Sequence, residues 1–307
     1  KPKIIHQSSA TGMQAIPTTG LAQGIQYLEF TQSSLLQKGE QGEAPVVVCS
    51  IGDNSMTEGE VSEALQFAVL KQLPIIYFVQ DNNWGISVSA DEARAMDAFE
   101  FADGFKGLHK MQADGTDFTE IYIAVGEAMH YVRTQRKPLL LHVSVPLLGH
   151  HTSGVRKEFY RSKEDLEKHG QRDPYPKLRN TLLQNGFNEE EVNTIEKQAQ
   201  QVAYDDFEKA KSAADPSPES VTRHVFADTP VTEETGNRTP AGGEKIIMVD
   251  AALFAIRELM EKHPECILYG QDVGRRLGGV FREAATLAER FGDHRVFNTA
   301  IQEAYIV

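Results

Sequence analysis

Cysteine, tryptophan, positive charge and long apolar runs are all scarce in this chain, and each scarcity removes a class of protein. The two cysteines, Cys49 and Cys266, stand far apart, each inside a strand-like apolar run. Neither a disulfide framework nor a zinc site is expected from them, and a cytoplasmic location suits such usage. Lys plus Arg total 31 against 44 Asp plus Glu, a formal net charge of −13. No dense basic cluster relieves that excess, which repels phosphate backbones, so no nucleic-acid partner is expected. Apolar runs such as Ile75–Val79 and Pro138–Leu141 fall far short of the roughly 20 residues a membrane helix requires, so no membrane partner is expected either. The opening Lys-Pro-Lys-Ile-Ile-His-Gln has no apolar signal region and no initiator Met, which leads us to expect a true amino terminus further upstream. At 307 residues there is room for two domains.

What is present is an alternation of two hydrophobic periods. Thr18–Leu36, Glu58–Leu70, Asp97–Phe105 and Asp117–Arg136 read as helices, the second preceded by Thr57 as a possible cap. Pro45–Ile51, Ile75–Gln80, Leu108–Ala113 and Pro138–Val145 read as strands. Continuous apolar strands separated by helices predict an α/β fold, a parallel sheet with helices on both faces. Ligands bind beyond the carboxyl ends of such strands, which directs attention to the loops Ser50–Thr57, Asp81–Ser89 and Pro146–Arg161. Charged helices follow over Ser162–Glu167, Pro176–Asn185 and Glu189–Ser212; a Pro- and Gly-rich stretch, Ala213–Glu244, reads as a linker. From Lys245 a second α/β pattern starts, with helices at Ile247–Lys262 and Arg282–Phe291 and strands at Cys266–Gly270 and Arg295–Asn298.

The segment Ser50-Ile51-Gly52-Asp53-Asn54-Ser55-Met56-Thr57-Glu58-Gly59 is a small-residue turn leading from a strand into a helix amino terminus. Backbone N–H groups and the helix dipole favour an anion such as a diphosphate there, Gly52 permits its close approach, and Asp53 offers a hard oxygen for the Mg2+ it carries. Asn82 follows 29 residues later, at the end of the next strand in Asp81-Asn82-Asn83-Trp84-Gly85-Ile86-Ser87, so the two loops should lie side by side. An Asp carboxylate, an Asn amide oxygen and a loop carbonyl suit the oxygen shell of Mg2+.

On these residues the chain resembles the thiamine diphosphate-dependent 2-oxo acid dehydrogenases, in particular the decarboxylating component of the branched-chain and pyruvate complexes. The resemblance rests on Gly52-Asp53-Asn54, Glu58-Gly59, Leu73-Pro74 and Asp81-Asn82-Asn83-Trp84, and continues through Gly149-His150-His151-Thr152-Ser153 and Tyr160-Arg161-Ser162. It implies a thiamine diphosphate-binding fold. It also implies that Asp53, Asn82 and the carbonyl of Trp84 bind the metal, that Gly52, Asn54, Ser55 and His151 join them around the cofactor, and that His150 and His151 are candidate catalytic groups. The stretch from Lys245 resembles the start of the beta-type subunit of the same enzymes, through Tyr269-Gly270-Gln271-Asp272-Val273, Gly278-Gly279-Val280-Phe281-Arg282 and Gln302-Glu303-Ala304. Glu303 falls where the family's catalytic Glu contacts N1′ of the cofactor's aminopyrimidine; protonation there readies the cofactor for loss of its thiazolium C2 proton.

The resemblance therefore implies residues 1–212 as an alpha-type, diphosphate-binding domain with a helical tail, 213–244 as a linker, and 245–307 as an incomplete beta-type, pyrimidine-binding domain, the two fused in an interior slice of a longer chain. The implied reaction is decarboxylation of pyruvate or a branched-chain 2-oxo acid, with acyl transfer to the lipoyl domain of a partner acyltransferase by a homo-oligomer. An acetoin-type enzyme with the same cofactor and a non-catalytic fragment are the competing readings. Taken singly, Asp53 is also an ordinary turn carboxylate, Glu303 a first-turn helix acid, and His150 and His151 surface-loop residues. Three departures from the family pattern bear on the site: Asn54 replaces a Gly, Pro146-Leu147-Leu148 lacks an Arg, and Gln80 stands where the branched-chain enzyme has another Arg. Arg156 or Lys157 is the expected replacement for the missing cations.

Overall fold

A computed structural model describes residues 4–5, 10–31, 44–152, 156–223, 225, 236–239, 241–274, 278–279, 282–300 and 304. The chain forms two units, residues 1–178 with 248–307 and residues 179–247. In chain order the first unit contains α1 (Ala15–Thr31), β1 (Val47–Gly52), α2 (Gly59–Lys71), β2 (Ile75–Asp81), the short strands β3 (Trp84–Gly85) and β4 (Val88–Ser89), α3 (Ala90–Ala93), α4 (Ala98–Phe101), β5 (His109–Asp114), α5 (Phe118–Gln135), β6 (Leu139–Ser144) and α6 (Lys163–Gly170). The helix α7 (Pro174–Gln184) runs across the boundary between the units, and α8 (Glu189–Ser212) belongs to the second. The chain returns to the first unit with α9 (Met248–Lys262), β7 (Leu268–Gly270), α10 (Leu287–Phe291) and β8 (Val296–Asn298).

Four strands form a wholly parallel sheet in the order β1-β2-β6-β5. Side chains alternate across it, so each central strand feeds two cores. Ile75, Tyr77 and Val79 of β2 and Leu140 of β6 meet Val61, Leu65 and Phe67 of α2 and Ala15 and Ala22 of α1. Ile76 of β2 and Leu139, Leu141 and Val143 of β6 face the other way, onto Ala124, Ala128 and Val132 of α5. Coverage of both faces is why β2 and β6 read as unbroken apolar runs. The edge strand β1 buries Cys49 and Ile51 on one side and leaves Val48 half exposed on the other. Tyr77 is fully buried without stranding its hydroxyl, which lies 2.6 Å from Thr19 Oγ1 and donates to the Ala64 carbonyl at 3.1 Å.

Later elements of this unit make a smaller core of Met260, Ala284, Leu287, Ala288 and Val296, beside the parallel pair β7–β8. Arg295 donates to the carbonyls of Met260, His263 and Cys266, placing its cation at the carboxyl end of α9. Helix forms over Leu287–Phe291 and not from Arg282, because Arg282 and Thr286 both adopt positive φ. In the second unit α8 opens with a reciprocal Asn188–Glu191 capping box, and Arg179 binds Glu189, Asn193 and Glu196 along its first turns.

Candidate functional site

Because β1 and β2 are parallel neighbours, with Gly52 opposite Gln80, the loops leaving them emerge side by side at one edge of the sheet. After Gly52 the chain enters a 3-10 turn over Asp53–Thr57, and α2 starts only at Gly59. The expected capping role of Thr57 is not met. Its hydroxyl donates to the Asn54 carbonyl at 2.9 Å inside the turn, and Glu58 occupies the cap position without a side-chain capping bond.

At the end of β2, two side chains hold the loop by bonding its backbone. Asp81 Oδ1 accepts from the Asn83 N–H at 3.0 Å and Asn82 Oδ1 from the Trp84 N–H at 2.9 Å. Asn83 takes a left-handed φ of 65°, and the β3–β4 hairpin turns through Ile86 at 61°. The Ser89–Glu92 capping box then starts α3, whose exit delivers Arg94 back to both loops.

Arg94 is the centre of the site. Its Nη1 donates to Asp53 Oδ2 at 2.8 Å, and its Nη2 reaches Asp81 Oδ1 and Oδ2 at 2.9 and 2.8 Å and Asn83 Oδ1 at 3.1 Å. From β6, His142 Nε2 lies 2.8 Å from Asp81 Oδ2, and the other ring nitrogen lies 3.3 Å from Gln112 Nε2 of β5. All three charged side chains are buried, 8% exposed for Arg94, 3% for Asp53 and 6% for Asp81. Burial, and then the neighbouring Asp81 carboxylate, push Asp53 up to about 6 despite Arg94. Burial also works against ionised Asp81, but the hydrogen bonds from His142 and Arg94 outweigh it and hold this carboxyl well below the usual range.

The sequence expectations for the site fare differently. The loop of Asp53 and Asn54 adjoins the loop of Asn82 and Trp84, tied to it by Arg94, which bridges Asp53 to Asp81 and Asn83, and by the close approach of Asn54 to Gly85. Gly52 closes β1, and Ser55 is buried inside the turn. Asn54 needs no left-handed backbone, since it sits within the 3-10 turn. His150 and His151 are exposed on the loop after β6, where His150 Nδ1 accepts the Lys157 N–H at 3.2 Å. Among the described residues neither histidine hydrogen-bonds to Asp53, Asn82 or Trp84. Glu303 lies outside the described residues. Arg156 pairs with Glu158 and Lys157 with the Leu148 carbonyl, and the cation that reaches Asp53 is Arg94. Gln80 accepts from the Ser50 hydroxyl at 3.1 Å.

Sequence reasoning missed Asp81, Arg94 and His142. A signal existed for two of them: a carboxylate closing one apolar strand and an imidazole interrupting another must find partners once buried. Nothing in local spacing marks Arg94. A second knot braces the histidine loop. The buried Arg161 guanidinium donates to the Leu147 carbonyl at 2.9 Å, pairs with Asp165, and stands 5.3 Å from the Trp84 ring.

For a divalent cation the candidate donors are the Asp53 carboxylate, the Asn82 amide oxygen and Asn54 Oδ1, a buried oxygen with no hydrogen-bond partner among the described residues. Among the described residues no three His, Cys, Asp or Glu side chains gather to hold a metal. A set of one carboxylate and amide oxygens nonetheless fits a hard cation of the Mg2+ kind, which keeps several other oxygen ligands.

Comparison with known proteins places the chain among recognisable relatives. The chain is 30% identical over 179 residues to the pyruvate dehydrogenase E1 component subunit alpha of Rickettsia bellii (strain RML369-C), covering 57% of this chain and 54% of that protein. It is 27% identical over 187 residues to the mitochondrial 2-oxoisovalerate dehydrogenase subunit alpha of Homo sapiens, covering 60% and 42%. The chain thus spans about half the length of the curated relatives it matches. A transketolase mutant from Pichia stipitis shares the fold, with a TM-score of 0.52 at 18% identity over 95% of this chain and 44% of that one. The model of the family described as Dehydrogenase E1 component matches residues 1–219, a span that holds the sheet and both loops of the Arg94 cluster, and the chain belongs to that family.

Proposed function

We propose that this chain is part of an enzyme that decarboxylates a 2-oxo acid, pyruvate or a branched-chain homologue, with thiamine diphosphate and Mg2+, and passes the acyl group to the lipoyl domain of a partner acyltransferase. The observation that carries the reading is the adjacency of the two loops that bear Asp53 and Asn82, hard oxygen donors beyond the carboxyl ends of neighbouring parallel strands, in a chain of the E1 component family. Thiamine diphosphate, when bound, supplies the electron sink that decarboxylation needs. The protein's work is then binding and orientation. Asp53, Asn82 and the Trp84 carbonyl hold the cation, with Asn54 Oδ1 as a further donor, while Gly52 and Ser55 line the diphosphate loop. Arg94 and His142 fix the carboxylates, and Arg161 fixes the loop that bears His150 and His151. Glu303 is assigned the proton at the cofactor's N1′, and His151 contact with the diphosphate and the incoming carbonyl or lipoyl group.

The proposed organisation is an alpha-type domain at 1–212, a linker at 213–244 and the start of a beta-type domain at 245–307, acting as a homo-oligomer in the cytoplasm. Among the described residues no helix is long and apolar enough to cross a membrane. Calorimetry with thiamine diphosphate and Mg2+ tests the reading. Wild type is expected to bind the cofactor only with Mg2+ present, and Asp53→Ala to weaken binding by about 100-fold or more; a wild type without Mg2+-dependent binding overturns it.

A further inference from the structure

We propose that Arg94 is the resident counter-ion of the metal carboxylate: it competes with the divalent cation for Asp53, and yields by falling back on Asp81. The inference rests on the metal-binding reading above and gives Arg94 a part in it beyond fixing the carboxylates.

The asymmetry of the guanidinium is the starting point. One nitrogen, Nη1, makes a single bond to Asp53 Oδ2 at 2.8 Å, whereas Nη2 alone holds both oxygens of Asp81 and Asn83 Oδ1, at 2.8 to 3.1 Å. Three of the four contacts survive if the guanidinium leaves Asp53. Buried as it is, Arg94 cannot exchange Asp53 for water without loss, and Asp81 is the carboxylate that lets the cation stay buried and paired. The backbone bond from Asn83 and the imidazole of His142 hold Asp81 in place for that duty.

A guanidinium bonded to Asp53 repels a divalent cation drawn to the same carboxylate, and with three of its four contacts elsewhere it is the partner able to give way. The cluster also has two carboxylates and one guanidinium, which leaves negative charge for an incoming cation to neutralise. Next along the chain from Asp53, Asn54 Oδ1 is a buried acceptor without a donor among the described residues, as expected of an oxygen reserved for a ligand. Arg94 therefore keeps Asp53 ordered and compensated, at the expense of intrinsic metal affinity. It is a positioning residue acting through Asp53.

The test uses the full chain in chelator-treated buffer with Mn2+ alone as the probe, read by the electron spin resonance of free Mn2+ and by emission from Trp84, the only tryptophan. Arg94→Gln retains hydrogen-bonding groups but loses the charge, and is expected to bind Mn2+ about tenfold more tightly than wild type. The double variant Arg94→Gln with Asp81→Asn leaves the net charge of the cluster unchanged, so a change in binding there does not come from the cluster's net charge. Tighter Mn2+ binding there too, abolished when Asp53→Ala is added, supports the proposal, because a merely structural role could only weaken binding. Asp53-dependent binding in wild type with equal or weaker binding in both Arg94 variants overturns the proposal and leaves the function above intact. Binding that is absent, or indifferent to Asp53→Ala, overturns both.

Discussion

Asn54 occupies the space that a side chain on Gly85 would need: a Cβ built on Gly85 would lie 1.7 Å from Asn54 Nδ2 and 2.7 Å from its Cγ. The diphosphate-type loop after β1 and the hairpin after β2 thus close on each other through an asparagine and a glycine. The residue that departs from the family's glycine pattern is accommodated by a glycine in the facing loop.

Gly85→Ala is therefore expected to lower stability by about 1–3 kcal/mol through overpacking. Asn54→Gly in the same chain should recover most of that loss, because the two residues compete for one volume. Urea midpoints of the two single variants and the double variant measure the coupling. Additive effects would contradict the contact.

Asp81 carries more of the fold than its place at the end of β2 suggests, since it compensates both Arg94 and His142 in the interior. Asp81→Ala leaves a buried guanidinium with one carboxylate in place of two, and a cost of about 3–5 kcal/mol is expected. Replacing an exposed acid such as Glu208 should cost within about 0.5 kcal/mol under the same conditions. Equal midpoints for the two variants would refute the assignment.

The two carboxylates also set opposing pH dependences. Asp53 stands at about 6, raised from 3.8, so over roughly pH 4 to 6 the folded chain keeps a proton that the unfolded chain has released. Stability from this group falls as pH rises through that window. Asp81, held below its ordinary value, contributes stability above the ordinary carboxylate pKa and loses it as pH falls. In metal-free buffer, Asp53→Asn is expected to gain on wild type as pH rises from about 4 to 6. A difference between their denaturation midpoints that stays constant over this range would count against the raised carboxyl.

Arg161 ties the histidine loop to the Trp84 hairpin. Arg161→Leu should cost about 2 kcal/mol and strand Asp165. It should also change Trp84 emission and open residues 146–161 to limited proteolysis while the sheet persists. Protease resistance equal to wild type would show that the loop is held by other means.

Much of the first unit was legible in the chain itself. The continuous apolar runs at Ile75–Gln80 and Leu139–Val143 could only be strands covered on both faces, and the sheet packs them so. That the loops of Asp53 and Asn82 adjoin was legible because short loops after neighbouring parallel strands must emerge together. Arg94 was not, since its role depends on a two-strand hairpin and a four-residue helix whose direction no periodicity encodes. The replacement cation was expected at Arg156 or Lys157, where exposed partners already engage both side chains.

Hydrophobic period and loop chemistry, both local along the chain, determined the strand–helix alternation, the parallel sheet and the two donor-bearing loops. Tertiary structure alone decided which cation meets Asp53, which carboxylate shares it, and that His142 serves Asp81 from the next strand. Those pairings follow from burial: once three strand ends and a returning helix exclude water around Asp81, every charge there must find a partner across the fold, at distances in sequence that no local rule spans.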